Sequence, residues 1–326
     1  MTGLFSETES KTTSVNHYEK IVRELAFAAV NEQRRARRWR IFFIFLFFAY
    51  LTPPLYLLLN SPGSGSDGPG SGIGDKHTAL VSMHGVLMDG EEAGADSIIA
   101  GLEAAFANSS TAAVILEINS PGGSPVQAAY IYDEIRRLRK LHESTPIYTV
   151  VSDIAASGGY FVAAATDNIY VNQSSLIGSI GVRMDNFGFV DLMKKVGVER
   201  RLLTAGENKG LLDPFLPENP EQKEHLQEVL NEVHQHFITA VKDGRGDRLL
   251  EQAGVFSGLI WTGEKAIKLG LADGYGTTKS VARDIVKVES IVDFTPKSAL
   301  IERIAKRIGT AVSQQMQSYF TLQLTD

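Results

Sequence analysis

The chain has 326 residues, a formal net charge of −6, 44% hydrophobic residues and no cysteine. Without cysteine there are no disulfides, no thiol catalysis and no thiolate metal sites, which fits an oxidising compartment without requiring one. No basic excess exists over the globular part, so nucleic-acid binding is not favoured, and none of the seven histidines stands in an HExxH-type metal frame.

Residues 1–40 read as a short cytoplasmic tail with a mixed-charge helical pattern from about Tyr18 to Arg38. Residues 41–59, Ile41 to Leu59, are uncharged. As a helix they would reach about 28 Å, close to the hydrocarbon thickness of a bilayer. Pro53 and Pro54 would kink such a helix, which a membrane span tolerates. Arg34, Arg35, Arg37, Arg38 and Arg40 lie upstream, and no basic residue follows until Lys76. The positive-inside rule then places the N-terminus in the cytoplasm and the rest outside it. A cleavable signal peptide is the alternative, but the run starts late, is long for an h-region and lacks a clear A-x-A site. Residues 60–75, rich in Gly, Ser and Pro, read as a flexible tether, leaving 76–326 as the globular domain.

From Thr78 onward strand-like and helix-like segments alternate, which argues for an α/β fold of βαβ units. Strands are expected at Leu80–Leu87, Ala113–Ile118, Ile147–Ser152 and Asn168–Asn172. Helices are expected at Ser97–Ala107, Val126–Leu141, from Tyr160 to Ala165, at Val190–Val196 and from about Glu221 to Val241. A turn at Asp243–Asp247 is then followed by further helices through Leu269, and Lys297–Ser318 reads as an amphipathic helix. His225, His234 and His236 fall in a Glu- and Gln-rich helical pattern and read as a solvated face.

Two loops carry candidate chemistry. Asn119-Ser-Pro-Gly-Gly-Ser-Pro125 follows a strand and precedes a helix, and its paired glycines would let backbone N–H groups turn toward a neighbouring site. A βα turn without a ligand has the same composition. Asp153-Ile-Ala-Ala-Ser-Gly-Gly-Tyr160 places Ser157 where a strand hands over to a helix. There the unpaired N–H groups and the positive dipole end suit a developing oxyanion, although serine is also a common helix N-cap. In a parallel sheet, loops after successive strands gather at one edge, which would bring these two together. A hydroxyl nucleophile needs a base, and no histidine is well placed for it. Lysine can serve if burial keeps it neutral. Lys209, in the loop Thr204–Phe215, is one candidate, and a solvated surface lysine is the ordinary account of it. Lys194 and Lys195 are close in sequence but read as solvated residues of the Val190–Val196 helix.

Asn-Ser-Pro-Gly-Gly, then Ala-Ala-Ser-Gly-Gly-Tyr, then Ile177-Gly-Ser-Ile-Gly-Val182, in this order and spacing, resemble the signal peptide peptidase A family of Ser–Lys serine peptidases, in its short, single-domain bacterial form. The similarity covers roughly residues 77–290. It implies a crotonase-like (ClpP/crotonase) α/β superhelix, here preceded by one N-terminal transmembrane helix. It further implies Ser157 as nucleophile, Lys209 as general base, Ser179 as the hydroxyl that orients the lysine amine, and Gly123 and Gly158 as oxyanion-hole donors, with no cofactor and no metal. The loop around Lys209 departs most from the family pattern. The resemblance implies signal peptides and other extended peptides as substrates, at the outer face of the cytoplasmic membrane. It also implies a ring- or dome-shaped homo-oligomer. A membrane-anchored crotonase-type scaffold or chaperone without peptidase activity is the alternative from another class. An acyl-CoA hydrolase or isomerase is a further one, disfavoured by an extracytoplasmic location.

Overall fold

The computed structural model describes residues 35, 37–50, 76–250, 252 and 254–296. The chain divides into two compact units, residues 1–68 and 69–326. In the first, residues 37–50 are helical, and the apolar side chains from Trp39 to Tyr50 are exposed. The rest of the expected membrane span, the tether and the expected Lys297–Ser318 helix lie outside the described residues. No described helix is long and apolar enough to cross a membrane.

The second unit is built on one mixed sheet. Its strands are β1 (His77–His84), β2 (Thr111–Ser120), β3 (Ile147–Ala156), β4 (Asn168–Val171), β5 (Leu176–Gly178), β6 (Ile260–Thr262), β7 (Gly274–Tyr275) and β8 (Ile291–Asp293). The path β6-β5-β3-β2-β1-β8 runs across the sheet, with β4 and β7 branching from β3. All pairings are parallel except β5 with β6. Helices α1 (Ala95–Ala107), α2 (Pro125–Leu141) and α3 (Gly158–Ala163) follow β1, β2 and β3 in turn. Then come α4 (Val190–Val196), α5 (Pro220–Arg245), α6 (Gly263–Lys268) and the short α7 (Thr278–Ser280).

Strand alternation explains the two layers. Val81, Met83, Leu116, Ile118, Val151 and Ala155 point to one face and pack with Ile98, Leu102, Ile131 and Ile135 of α1 and α2. Each fully buried Leu or Ile here contributes about 1.5–3 kcal/mol. On the opposite face Leu80, Ile115, Tyr148, Val150 and Tyr170 meet Val281 and Ala282 of the π-helical turn Val281–Val286.

Two boundaries differ from expectation for reasons that matter at the site. β1 ends at His84 rather than Leu87, because Gly85 at φ +99° turns the chain outward. Leu87 then forms a separate parallel bridge with Gly123. β3 continues past Ser152 to Ala156 because it changes partners along its length. Tyr148–Val150 pair with β4, and Ile154–Ala156 pair with β5. The sheet therefore splits at β3, and Ser157 lies immediately beyond the split.

Candidate active site

Ser157 joins β3 to α3 with φ 52° and ψ −125°, a strained combination for a residue with a Cβ. Such a conformation costs about 1–3 kcal/mol. Its backbone is fully employed: the N–H donates to the Gly178 carbonyl at 2.8 Å, and its carbonyl accepts from the N–H groups of Tyr160 and Phe161 at 2.9 Å. Its hydroxyl makes no capping hydrogen bond, so the N-cap account of this serine does not hold. No hydrogen bond reaches this half-buried residue's hydroxyl among the described residues.

Gly122 and Gly123 adopt φ +102° and +153°, and the close approach of neighbouring chain requires glycine at both. A Cβ on Gly122 would lie 2.7 Å from Ser157 Cβ, and one on Gly123 would lie 2.2 Å from the Leu87 carbonyl oxygen. The loop is fixed by the Leu87 N–H donating to the Gly122 carbonyl (2.9 Å) and the Ser124 N–H donating to the Leu87 carbonyl (2.8 Å). The Gly122 N–H donates to the buried Ser120 Oγ at 3.2 Å. At the same sheet edge, Asn119 Nδ2 donates to Asp153 Oδ2 at 3.0 Å, joining the two candidate loops.

This arrangement leaves the Gly123 and Gly158 N–H groups without an acceptor among the described residues. They belong to facing segments, since a Cβ built on Gly158 would come 3.4 Å from Gly123 N. Two unspent donors beside a free hydroxyl at a helix N-terminus can stabilise an oxyanion formed by attack of that hydroxyl.

Ser179 follows β5 and shares the φ of 52° found at Ser157. Its N–H donates to the Leu259 carbonyl at 2.8 Å, and the preceding Gly178 carbonyl is the one that receives the Ser157 N–H. A continuous ladder thus runs from Ser157 through Gly178 and Ser179 to Leu259. No hydrogen bond links Lys209 to this group among the described residues. It occupies an exposed turn, with its N–H on the Gly206 carbonyl at 3.1 Å, and no hydrogen bond or ion pair reaches its ammonium among the described residues. The neighbouring Asn208 Oδ1 accepts from Gln222 Nε2 of α5 at 3.0 Å, which ties this turn to the start of α5. Lys194 is exposed and pairs with Asp191 at 3.2 Å, as its helical pattern predicts.

Behind α3, a buried polar network sets where the helix lies. Tyr160 is fully buried and donates from its hydroxyl to the Leu271 carbonyl at 2.8 Å; burial pushes its phenol well above the ordinary range. The buried Arg245 guanidinium donates twice to Asp273, each at 2.8 Å, and Nε donates to the Gly270 carbonyl. Burial raises the Asp273 carboxyl, but the Arg245 hydrogen bond and charge, the Ile169 N–H and Arg248 outweigh it and hold it below the usual carboxylate range. The bridge between Leu87 and Gly123, the Asn119–Asp153 bond and the Arg245–Asp273 pair escaped the sequence reading. Gly123, Asn119 and Asp153 lay inside the two loop motifs and Arg245 inside the Asp243–Asp247 turn, but their partners could not be read from the sequence.

Among the described residues no group of side chains could hold a metal ion.

A model of peptidase family S49 matches residues 139–291, and a Clp protease model matches residues 77–175. The first contains Ser157, Ser179 and Lys209, and the second contains Gly122, Gly123 and Ser157. The mixed α/β sheet together with the Clp match is a ClpP/crotonase-like fold. Over 239 residues the chain is 44% identical to a Na+/H+ antiporter NhaA of Brucella abortus (strain 2308), covering 71% of this chain and 32% of that protein. It is 34% identical over 178 residues to a putative protease of Methanocaldococcus jannaschii, with 55% of this chain and 56% of that one aligned. It is 28% identical over 232 residues to a putative signal peptide peptidase SppA of Enterococcus faecium, with 69% and 67% aligned. The chain spans about a third of the length of the Brucella relatives it matches, 32%.

Proposed function

The chain belongs to peptidase family S49, and on that premise we propose that it is a membrane-anchored serine endopeptidase working through a Ser157–Lys209 dyad. One observation carries the reading: a strained serine whose hydroxyl is unspent, beside two unspent N–H groups from Gly123 and Gly158. Ser157 Oγ attacks the peptide carbonyl carbon while the neutral Lys209 amine takes its proton. The tetrahedral oxyanion forms against the Gly123 and Gly158 N–H groups. Collapse breaks the C–N bond, and the Lys209 ammonium returns the proton to the leaving amine. Water, deprotonated by Lys209, then hydrolyses the acyl-enzyme and restores the Ser157 hydroxyl. Ser179 hydrogen-bonds the amine and orients it.

A neutral lysine needs shelter from water. Lys209 is exposed in the single chain, so the dyad requires the arm that carries it, residues 182–219, to be covered, and a second copy is the cover we propose. The arm's exposed apolar side chains, Phe187, Val196 and Leu203, support a ring or dome of identical subunits. The uncharged run at 41–59, with arginines before it, supports a single-pass anchor with the catalytic domain extracytoplasmic. At that place the substrates are signal peptides released by preprotein processing, and other extended chains. The exposed position of Lys209 is the observation that favours a scaffold without peptidase activity instead.

The test is hydrolysis of fluorogenic peptides with small or apolar residues before the scissile bond. The full chain is compared with Ser157→Ala and Lys209→Ala, with assembly followed by light scattering. The dyad predicts activity lost in both variants with assembly intact. Activity that survives Lys209→Ala moves the base elsewhere, and an assembled but inactive wild type supports the scaffold.

A further inference from the structure

The sequence pattern puts His234 on a solvated helix face with His225 and His236. The structure separates them: His225 and His236 are exposed, whereas His234 is half-buried and its Nε2 lies 3.1 Å from the Ile180 carbonyl oxygen. A carbonyl can only accept, so Nε2 carries the hydrogen. The same carbonyl also accepts from the Gly258 N–H at 3.0 Å, and its two lone pairs accommodate both.

Ile180 adjoins Ser179 in the short strap Gly178–Gly181, whose Gly178 carbonyl holds the Ser157 N–H. β6 and its preceding turn fix this strap on one side, through the Leu259 carbonyl and the Gly258 N–H. His234 fixes it on the other side from α5. The first half of α5 lies over the arm that carries Lys209, tied to it by Gln222 and Asn208. Farther along, Phe237 packs on Phe161 of α3 with ring centroids 5.1 Å apart, and the Ala240 carbonyl accepts from the Tyr132 hydroxyl at 3.2 Å. α5 is thus continuous from the Lys209 arm to the back of the Ser157 helix. Among the described residues, His234 is the first side chain along it that bonds to the strap.

We infer that His234 is a positioning residue: its hydrogen bond to Ile180 sets the register of the Ser179 strap against the helix that carries the Lys209 arm. The inference rests on the peptidase reading for its catalytic consequence, but the geometry it concerns can be measured without activity. The contact requires a hydrogen on Nε2, which the Nε2–H tautomer supplies and the Nδ1–H tautomer does not. Glutamine can supply an N–H from a similar reach, and leucine fills the space without a donor.

The experiment uses the full chain as wild type, His234→Leu, His234→Gln and Ser157→Ala. Backbone hydrogen exchange is followed in the peptide spanning 176–181, together with kcat and KM on the fluorogenic peptide. His234→Leu should exchange about fivefold faster in that peptide and lose about fivefold in kcat with little change in KM. His234→Gln should restore both, and the thermal midpoint should differ little between the two variants. Unchanged exchange in His234→Leu, or equal acceleration in His234→Gln, overturns the inference. Peptide hydrolysis that survives Ser157→Ala overturns the peptidase reading instead, and leaves the exchange result to judge His234 alone.

Discussion

Ser157 carries backbone strain that a purely structural serine would not need. Its φ of 52° turns the hydroxyl away from a capping role while the N–H and carbonyl remain tied to Gly178 and the α3 turn. The residue that tests the adjoining donors most cleanly is Gly158. It does not adopt a positive φ, and an added Cβ would meet only ordinary contacts at 3.4 Å, with Ala128 Cβ and Gly123 N. Ala favours the helix over Gly by about 1 kcal/mol, so Gly158→Ala should fold with undiminished stability. The new methyl would nevertheless crowd the Gly123 N–H. If that N–H is an oxyanion donor, kcat should fall about 10²- to 10³-fold. Denaturant unfolding and steady-state kinetics on the same preparation check both halves, and an active, stable Gly158→Ala enzyme contradicts the assigned oxyanion hole.

The elements around the site differ in how far they were legible. β2, β3, β4, α1, α2 and α5 were visible because each has a long enough β-branched or 3.6-periodic run to declare itself. β5, β7 and β8 were not, being only two or three residues long, with pairing supplied entirely by tertiary neighbours. The glycines at 244 and 246 read as a turn, yet α5 runs on to Arg245. Gly244 is there for close packing, since a Cβ would fall 1.9 Å from the Ala164 carbonyl oxygen of the α3 end. The candidate serine and the glycine pair beside it were legible from their motifs. The placement of Lys209 was not, because burial of a loop side chain depends on what covers the loop. The Arg245–Asp273 pair, at the α5 end, makes a prediction of its own. The Asp273 carboxyl is held below its ordinary value near 3.9. Its contribution to stability is therefore complete above about pH 4 and is lost as pH falls through the lower folded value. Asp273→Asn would strand a buried guanidinium and should cost about 3–5 kcal/mol at pH 7. It should also flatten the fall in stability below about pH 4, both measured by denaturant titration. A variant that loses neither stability nor acid sensitivity contradicts the role given to the pair.

At the scale of the second unit, an α/β body presents the sheet edge that carries Ser157, while residues 182–219 form an arm of turns, loops and α4 with exposed apolar side chains. In the mechanism we propose, the body supplies nucleophile, oxyanion donors and Ser179, and the arm supplies the base. That proposal makes assembly part of the chemistry, and it rests the peptidase reading on a single atom, Ser157 Oγ. The most direct measurement is reaction of the full chain with a fluorophosphonate, followed by peptide mass mapping of the adduct and assay of the residual peptidase activity. The account predicts one adduct, on Ser157, absent from Ser157→Ala and formed in step with the loss of hydrolysis. An adduct on another residue, or hydrolysis that persists with Ser157 fully modified, would contradict it.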